Sequence, residues 1–304
     1  MSPPLVVLGD FAWDVMIRTN TKLLTGGDTY GEVMLAPGGS GANVAVWARR
    51  AGLETAFIGK IGRDRFGQLA EADLADEDVE AHFVYSEAQL TSSVAVFVDE
   101  HGERSMVAGR GADHFLLPSE LNRELITGAR HLHLTAWSFF TDPPRGAARE
   151  AARIAKEAGV GLSLDPGSFQ LIDEVGVDNF LSFTTDLGVD IILPNFEEGN
   201  ILTGETEPAA IAARLEELYP GALIMLKLDA QGAFVQRGGR GVPVPPSPGH
   251  LTDATGAGDA FAGAFLARYL NGVDVLEAAA FATRVSAWVI GRLGARPQGD
   301  WPTE

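Results

Sequence analysis

The residues best suited to chemistry lie near the C-terminus, in the glycine-rich segment 253–259 and the apolar run 260–270 after it. A glycine-rich turn before a helix directs several backbone N–H groups at one point, and glycine lets a phosphate approach closely. The segment also places a carboxylate, Asp259, in the first turn of that helix. Phosphoryl transfer to a hydroxyl requires an anion site with a base beside it. The segment therefore predicts a kinase of small molecules, and the alternative role for Asp259 is a helix N-cap.

A second glycine-rich segment, 37–43, precedes another helical pattern. Its backbone N–H groups and the Asn43 amide could hydrogen-bond a polar ligand. The alternative is a purely structural connection between a strand and a helix. The segment is not a dinucleotide fingerprint, because Val44 replaces the third glycine and the strand pattern before it alternates. The chain also lacks a G-x-x-x-x-G-K-[ST] sequence, which excludes a P-loop kinase.

Short apolar runs alternate with helical patterns along the chain. The strands and helices that they predict must position the two glycine-rich segments. Runs with little polar interruption are typical of strands buried on both faces of a parallel sheet. The predicted strands are 5–8, 56–58, 131–134, 161–164, 190–193 and 222–226, and the predicted helices are 42–51, 145–158, 208–219, 260–270 and 276–290. Gly52 and Gly159 follow two of these helices, where C-terminal caps occur. The alternation predicts an α/β fold with a doubly wound, mostly parallel sheet flanked by helices.

Two regions depart from this alternation. Residues 29–36, 92–98 and 104–108 alternate polar and apolar side chains without an intervening helix, and residues 99–103 suit a hairpin turn. They predict a small antiparallel sheet, formed by segments of about 15–37 and 91–110, within a single domain spanning 1–304. We interpret this sheet as a lid over the site, and a static edge hairpin is the alternative. The proline-rich segment 242–248 is interpreted as a stiff surface strand or loop.

The composition narrows the class of protein. The 304 residues include 23 Lys+Arg and 41 Asp+Glu, and the net charge of −18 opposes binding to nucleic acid or to an anionic membrane. The chain has no cysteine, which excludes disulfides, thiolate catalysis and zinc–thiolate sites. The first residues lead into a strand without a signal-peptide or membrane-spanning pattern. A cytoplasmic protein is therefore expected.

Taken together, the segments 38–43, 59–67 and 253–259 resemble the motifs of the ribokinase family, also called the phosphofructokinase-B family of carbohydrate and nucleoside kinases. The resemblance extends from Gly9 to Ala295. It implies a ribokinase-like fold and an ATP-dependent transfer of the γ-phosphoryl group to a primary hydroxyl of a small sugar. Asp259 matches the family's catalytic base. The N–H groups of Gly256, Ala257 and Gly258 would hold the charge on the transferring phosphoryl group.

The resemblance also implies which residues bind the sugar. Asp14 matches the position whose carboxylate accepts hydrogen bonds from two substrate hydroxyls. Gly38, Gly39 and Asn43 are expected to contact the same substrate. Arg110 lies beside the predicted lid, as does Arg104. These side chains could pair with an anionic substrate such as a sugar acid or sugar phosphate, or only form salt bridges in solvent.

The nucleotide and its metal ions are implied in the same way. Asn195 and Glu198 match residues that organise water and Mg²⁺ around the phosphates, with Glu198 acting through water. The remaining nucleotide-binding positions are Lys227, Asp229, Gly232 and Thr283, of which Thr283 lies where the adenine is expected. Lys227 could reach a phosphate or extend its ammonium to the surface. Asp253 and Thr255 match oxygen ligands of a monovalent cation, so activation by K⁺ is a hypothesis.

Several alternatives stay open at this level. A nucleoside kinase on the same fold would need a base-stacking aromatic residue in the lid, and Tyr30 or Phe97 could serve. A sugar-binding regulator without catalysis is a second alternative. His131 and His133 share one face of a strand, which could indicate a metal site, although buried histidines with satisfied hydrogen bonds are a simpler interpretation. The exposed edge of the lid sheet could also pair with a second copy of the chain in a homodimer.

Overall fold

The computed structural model describes residues 3–98 and 104–303, which form alternating strands and helices. The strands are β1 (Leu5–Leu8), β2 (Ala12–Thr19), β3 (Gly31–Gly38), β4 (Thr55–Gly62), β5 (Glu80–Ser86), β6 (Ser92–Val98), β7 (Arg104–Gly109), β8 (His131–Thr135), β9 (Gly161–Asp165), β10 (Ile191–Ile192), β11 (Leu223–Lys227), β12 (Ala233–Arg237) and β13 (Arg240–Val244). The helices are α1 (Ser40–Arg50), α2 (Arg65–Asp76), α3 (Arg123–Gly128), α4 (Pro144–Ala158), α5 (Phe169–Val175), α6 (Val177–Thr184), α7 (Phe196–Thr203), α8 (Pro208–Leu218), α9 (Ala257–Leu270) and α10 (Val275–Val289).

The larger sheet has nine strands in the order β13-β12-β11-β10-β9-β8-β1-β4-β5. All pairs from β11 to β5 are parallel, and β12 and β13 are added antiparallel at one edge. Successive side chains of a strand point to opposite faces, so a strand covered on both faces is apolar throughout. In β1, Leu5 and Val7 join one core and Val6 and Leu8 join the other. The predicted doubly wound α/β fold is confirmed.

Helices cover both faces of this sheet. One core is completed by α1, α9 and α10, and the other by helices that include α4 and α8. Helix α4 shows how the sequence directs this packing, since it buries a stripe of alanines and ends at Gly159, whose φ of 70° is left-handed. None of the helices in the described residues has the length and apolar character needed to cross a membrane.

The smaller sheet has four strands in the order β3-β2-β6-β7. Strands β2 and β3 pair antiparallel, as do β6 and β7, while the central pair of β2 and β6 is parallel. Strand β2 was not among the predicted elements, and it carries Asp14, which sequence alone left in the connection after β1. The sheet therefore begins at Ala12 and not near residue 15. The predicted turn at 99–103 lies outside the described residues.

The proline-rich segment contributes to the last strand of the large sheet. Pro243 lies in β13 opposite Phe234 of β12, and β13 is the outermost strand. An edge strand tolerates proline because one side of it needs no ladder hydrogen bonds. The surface strand predicted from residues 242–248 is thus confirmed for residues 242–244.

Candidate active site

The carboxyl ends of the parallel strands meet at one edge of the large sheet. The register places Leu8, the last residue of β1, opposite Ile58 of β4 and Leu134 of β8. Strand β8 ends one residue later, at Thr135, whereas β4 continues to Gly62 beside β5. The chain also builds the sheet outwards in both directions from β1, because β4 and β5 lie on one side of it and β8 to β13 on the other. Such a switch point opens a crevice where open α/β sheets bind ligands.

The glycine turn before α9 lies at this edge and is closely packed. Gly256 occupies the N-cap with a φ of 72°. A Cβ at Gly256 would lie 2.4 Å from the Cβ of Ala295, so both the backbone conformation and the neighbouring chain require glycine. A Cβ at Gly258 would lie 3.4 Å from Nζ of Lys227. The first turn of α9 therefore presents its N–H groups beside a lysine ammonium, an arrangement that suits a phosphate.

Asp253 holds the turn in shape. Its Oδ1 accepts a hydrogen bond of 2.8 Å from the N–H of Thr255, and its Oδ2 accepts one of 3.0 Å from the N–H of Gly294. The N–H of Ala257, predicted to hold a phosphoryl group, donates to the carbonyl of Ala254 at 3.3 Å. The structure thus brings Asp253 and Thr255 together, and their binding of a monovalent cation stays a prediction.

Asp259 is the third residue of α9 and does not act as its N-cap. Its Oδ2 accepts a hydrogen bond of 2.8 Å from Nδ2 of Asn43. The pKa of Asp259 is raised from 3.8 to about 7, mainly by burial and also by the charges of Asp165 and Asp10, against the lowering effects of the Asn43 hydrogen bond and the Lys227 charge. The position at a helix N-terminus predicts easy ionisation. Burial outweighs that effect, and with a pKa of about 7 the Asp259 carboxyl group can exchange a proton near neutral pH.

Lys227 lies inside the site and does not extend to the surface. It is 9 % exposed, and its Nζ is 2.6 Å from Oδ2 of Asp165 at the end of β9. Burial disfavours the charge of Lys227, but Asp165 and Glu198 outweigh this and raise its pKa. Sequence reasoning missed Asp165. A carboxylate at the carboxyl end of a buried strand, followed by Pro166 and Gly167, is the signal that could have found it.

Asn195 and Glu198 form the N-terminal capping box of α7. Oδ1 of Asn195 accepts from the N–H of Glu198 at 2.7 Å, and Oε2 of Glu198 accepts from the N–H of Asn195 at 2.9 Å. Glu198 is 2 % exposed. Burial raises its pKa to about 8, with a further contribution from the charge of Asp165. A buried carboxylate beside another is a hard-oxygen environment that fits Mg²⁺ held through water.

Asp14 and the glycines before α1, which are predicted to contact the sugar, lie together on one side of the crevice, the predicted acceptor side. Oδ2 of Asp14 lies 2.6 Å from the place where a Cβ of Gly38 would be. Gly39 has a φ of 88°, and a Cβ there would lie 2.6 Å from the carbonyl oxygen of Asp10. The carboxylate of Asp10 accepts from the N–H groups at the start of α1, Ser40 and Gly41, at 3.1 Å each. Asp10 is a second residue of the site that sequence reasoning did not assign.

Burial also raises the pKa of Asp14, to about 6, against the lowering effect of the Arg296 charge. Arg296 was not identified from the sequence, since a single arginine after a Gly-Ala pair carries no pattern. Its Nε donates to Oδ1 of Asn43 at 2.7 Å, and its Nη2 donates to the carbonyl of Gly38 at 3.0 Å. The buried guanidinium of Arg296 therefore binds Asn43 and Gly38 directly and acts on Asp14 through its charge.

Five other residues named in the sequence analysis lie elsewhere. Gly232 has a φ of 89° and closes a turn against Val244, with Asp229 exposed in the same turn. The Thr283 hydroxyl lies within α10, 2.8 Å from the Ala280 carbonyl. Arg110 is exposed and lines a cavity of about 360 Å³ between the small sheet and the start of α2. The side chain of Arg104 lies outside the described part of the chain.

The two histidines of β8 have surroundings that differ from a satisfied buried pair. Both are buried, and burial lowers their pKa values to about 3. Nδ1 of His133 is 2.8 Å from Oγ of Ser163, but Nε2 of both His131 and His133 has no hydrogen-bond partner, so the expectation of satisfied histidines holds only in part. Within residues 3–98 and 104–303, no group of three metal-ligating side chains was found.

The geometry agrees with sequence comparison. Residues 5–303 match the model of the pfkB family carbohydrate kinases. The chain belongs to the pfkB family of carbohydrate kinases. A fructokinase of Klebsiella pneumoniae is 32 % identical over 272 residues, covering 88 % of this chain and 84 % of the relative. A ribokinase of Haemophilus influenzae is 30 % identical over 309 residues, covering 100 % of this chain and 96 % of the relative.

Solved structures of kinases superpose over nearly the whole chain. An adenosine kinase of Sinorhizobium meliloti aligns with a TM-score of 0.87 and 25 % identity, over 98 % of this chain and 96 % of the other. A ribokinase-like E. coli protein in complex with ATP and Mg²⁺ aligns with a TM-score of 0.84 and 25 % identity, over 96 % and 94 %. The ribokinase-like fold and the assignment as an ATP-dependent carbohydrate kinase are confirmed.

Proposed function

We propose that this kinase transfers the γ-phosphoryl group of ATP to a primary hydroxyl of a sugar, with Asp259 as the general base. The observation that carries the proposal is the position of the Asp259 carboxylate. It is hydrogen-bonded to Asn43 on the acceptor side and lies in the first turn of α9, whose N–H groups suit the phosphate side. A base must lie within reach of both the hydroxyl and the phosphoryl group.

The reaction follows from this arrangement. The sugar oxygen attacks the γ-phosphorus, the bond between that phosphorus and the bridging oxygen of ADP breaks, and the hydroxyl proton passes to an oxygen of Asp259. The first-turn N–H groups of α9 and the ammonium of Lys227 stabilise the charge on the phosphoryl oxygens. Burial keeps the pKa of Asp259 near 7, so the group accepts the proton and later returns it to water without a large driving force.

The nucleotide would extend along the carboxyl ends of β10 and β11. Asn195, Glu198 and Lys227 would lie at its phosphates, and the turn of Asp229 and Gly232 beyond them, with Thr283 near the base. The buried carboxylate of Glu198 fits Mg²⁺ through an intervening water. Mg²⁺ supplies neutralisation of the phosphate charge when it is bound. The E. coli neighbour in complex with ATP and Mg²⁺ supports both ligands.

The sugar would bind at Asp14, Gly38, Gly39 and Asn43. One carboxylate can accept from two adjacent hydroxyls, so Asp14 selects a vicinal diol over a single alcohol. The fructokinase and ribokinase relatives support a neutral ketose or pentose. Arg110 is exposed at the rim, where its charge would favour a substrate that also carries a carboxylate or phosphate.

A coupled assay of ADP release over pentoses, hexoses, sugar acids, sugar phosphates and nucleosides tests the proposal. We expect ADP formation that requires Mg²⁺ and one or a few sugars, with a phosphomonoester of the primary hydroxyl as product by mass spectrometry. ADP formed at the same rate without any acceptor, or no turnover with any sugar or nucleoside, contradicts it.

A nucleoside is the second candidate acceptor. The adenosine kinase from Sinorhizobium meliloti, whose structure aligns over 98 % of this chain, favours it. Tyr30 is strongly exposed beside the small sheet and could stack on a base. Turnover of adenosine with a kcat/KM above that of every sugar in the panel would establish this acceptor class.

Three further expectations accompany the proposal. Potassium would bind at Asp253 and Thr255, and replacing KCl by NaCl at constant ionic strength should then lower kcat.

A second copy of the chain would pair with the small sheet and form a homodimer. Val33 is 70 % exposed on this sheet, and Val107 lies exposed on β7. Light scattering of the wild type and of V33E measures this association. The absence of cysteine and the use of ATP support a cytoplasmic location.

A further inference from the structure

The chain segment after α10 fastens the two glycine turns of the site together. The N–H of Gly294 donates to Oδ2 of Asp253, and Ala295 lies directly against Gly256. The carbonyl of Ala295 also accepts from Nε1 of Trp47 in α1 at 3.0 Å. The next residue, Arg296, reaches from this phosphate-side turn to the acceptor side of the crevice.

Arg296 is a fully buried cation with three directed bonds. Its side chain is 1 % exposed. Nε donates to Oδ1 of Asn43, Nη2 donates to the carbonyl of Gly38, and Nη1 is paired with Asp73 of α2. The guanidinium also lies over the ring of Phe11, 5.4 Å from its centroid. A planar group held at every nitrogen has one orientation, and so do the groups bonded to it.

The orientation of Asn43 depends on this contact. A side-chain amide has an acceptor end and a donor end, and the two exchange places when it turns over. Arg296 can only donate, so it binds the oxygen end of Asn43 and directs the nitrogen end at Asp259. The resulting chain of bonds runs from Asp73 through Arg296 and Asn43 to Asp259.

We propose that Arg296 is a positioning residue of the phosphoryl-transfer site, which orients the Asn43 amide toward Asp259 and secures the Gly38 turn that receives the sugar. This rests on the proposed function, since it assigns Arg296 a role in aligning its base and its acceptor. Arg296 itself would touch neither the sugar nor ATP.

The charge of Arg296 also acts on the acceptor carboxylate. It opposes the effects of burial and of Asp10 and Asp253 on Asp14, and so favours the ionised form that accepts hydroxyl hydrogen bonds. The groups that face Asp259 are Asn43 of α1, Asp10 after β1, Asp165 of β9 and Lys227 of β11. Of these groups, loss of Arg296 leaves the charged ones in place, and it acts on Asp259 through the Asn43 bond.

The test compares R296M with the matched control R50M. Arg50 is a less deeply buried arginine, with its side chain 10 % exposed; it donates to the carbonyl of Pro297 at 3.0 Å and pairs with Glu77, but it contacts neither Asn43 nor Gly38. For R296M we expect a 10- to 100-fold loss of kcat, a rise in sugar KM with ATP KM little changed, and an acidic limb of the kcat profile moved to higher pH. For R50M we expect a lower Tm with the pH profile and KM ratio of the wild type.

The variant N43A, the double variant N43A/R296M and the variant R296K distinguish a positioning role of Arg296 from a purely structural one. In an N43A background, R296M should move the acidic limb no further, because its effect passes through Asn43. R296K retains the charge but not the three bonds, and it provides the same comparison if R296M does not fold. The inference is overturned if R296M or R296K changes only Tm, as R50M does, or if R296M and N43A shift the limb additively. An inactive wild type, by contrast, contradicts the proposed function itself.

Discussion

Nδ2 of Asn43 lies 2.8 Å from Oδ2 of Asp259, although 216 positions separate the two residues in the chain. Each stands near the N-terminus of its own helix, α1 or α9, and these helices pack side by side. The contact is close because Gly263 of α9 has no side chain: a Cβ there would lie 2.6 Å from the carbonyl of Val44. Two helix N-termini are thereby brought to one crevice, where we propose that one binds a polyol and the other a phosphate.

The first prediction concerns the base. D259N should reduce kcat by about 10²- to 10⁴-fold, because the amide cannot accept the hydroxyl proton. Binding of ADP, measured by calorimetry, should remain within a few-fold of the wild type. D274N is the matched control, since the carboxylate of Asp274 caps α10 by accepting from the N–H of Leu276 and an asparagine can do the same. Near-normal turnover by D259N contradicts the assignment.

The same substitution should change the pH dependence of stability. The pKa of Asp259 is about 7 in the fold and 3.8 in the unfolded chain, so the folded state binds the proton more tightly. Its ionisation therefore destabilises the fold progressively as the pH rises from about 4 to 7. D259N avoids that cost and should exceed the wild type in unfolding free energy by about 1–4 kcal/mol at pH 8.

Urea unfolding of D259N and the wild type at pH 5, 6, 7 and 8 measures this difference. The other buried carboxylates and the histidines are present in both proteins, so the part of their contribution that does not depend on the charge of Asp259 cancels in the comparison. A difference that does not grow with pH, or a variant less stable at pH 8, contradicts the burial of an ionisable Asp259.

A third prediction concerns the acceptor. D14A should raise the KM for the sugar by about 10- to 10³-fold, because each hydrogen bond to a charged group contributes about 1.5–3 kcal/mol. The KM for ATP should change less than threefold. D28A removes an exposed carboxylate from the connection between β2 and β3 and should leave both constants unchanged. Equal effects of D14A on the two substrates would count against a role in polyol binding.

A fourth prediction concerns the buried ion pair of Lys227 and Asp165. K227M leaves a buried carboxylate without its cation, which should lower the unfolding free energy by about 3–5 kcal/mol. The double variant D165L/K227M removes both charges and should recover most of that stability. It should not recover turnover, because Lys227 would no longer stand beside the phosphate turn. A double variant with wild-type kcat contradicts the role of Lys227 in catalysis.

Much of the fold was readable from local patterns. The strands β1, β4 and β8 to β11 of the large sheet are short apolar runs and were predicted, whereas β5 and β12 mix polar and apolar residues and were not. Helix α4 and its Gly159 cap follow from an alanine stripe and a terminal glycine. Strand β2 was missed because its sequence does not alternate: Met16 stands between Val15 and Ile17, where alternation would need a polar residue. It also follows β1 after only three residues.

The sequence by itself determined the chemistry available at two helix N-termini, because glycine spacing and a first-turn carboxylate are local properties of the chain. Only the tertiary structure decided how the site is assembled. The pairing of Lys227 with Asp165 joins residues 62 positions apart, and the bond of Arg296 to Asn43 joins residues 253 apart. The pKa of Asp259 was likewise undecided, since it depends on burial beneath elements from the whole chain.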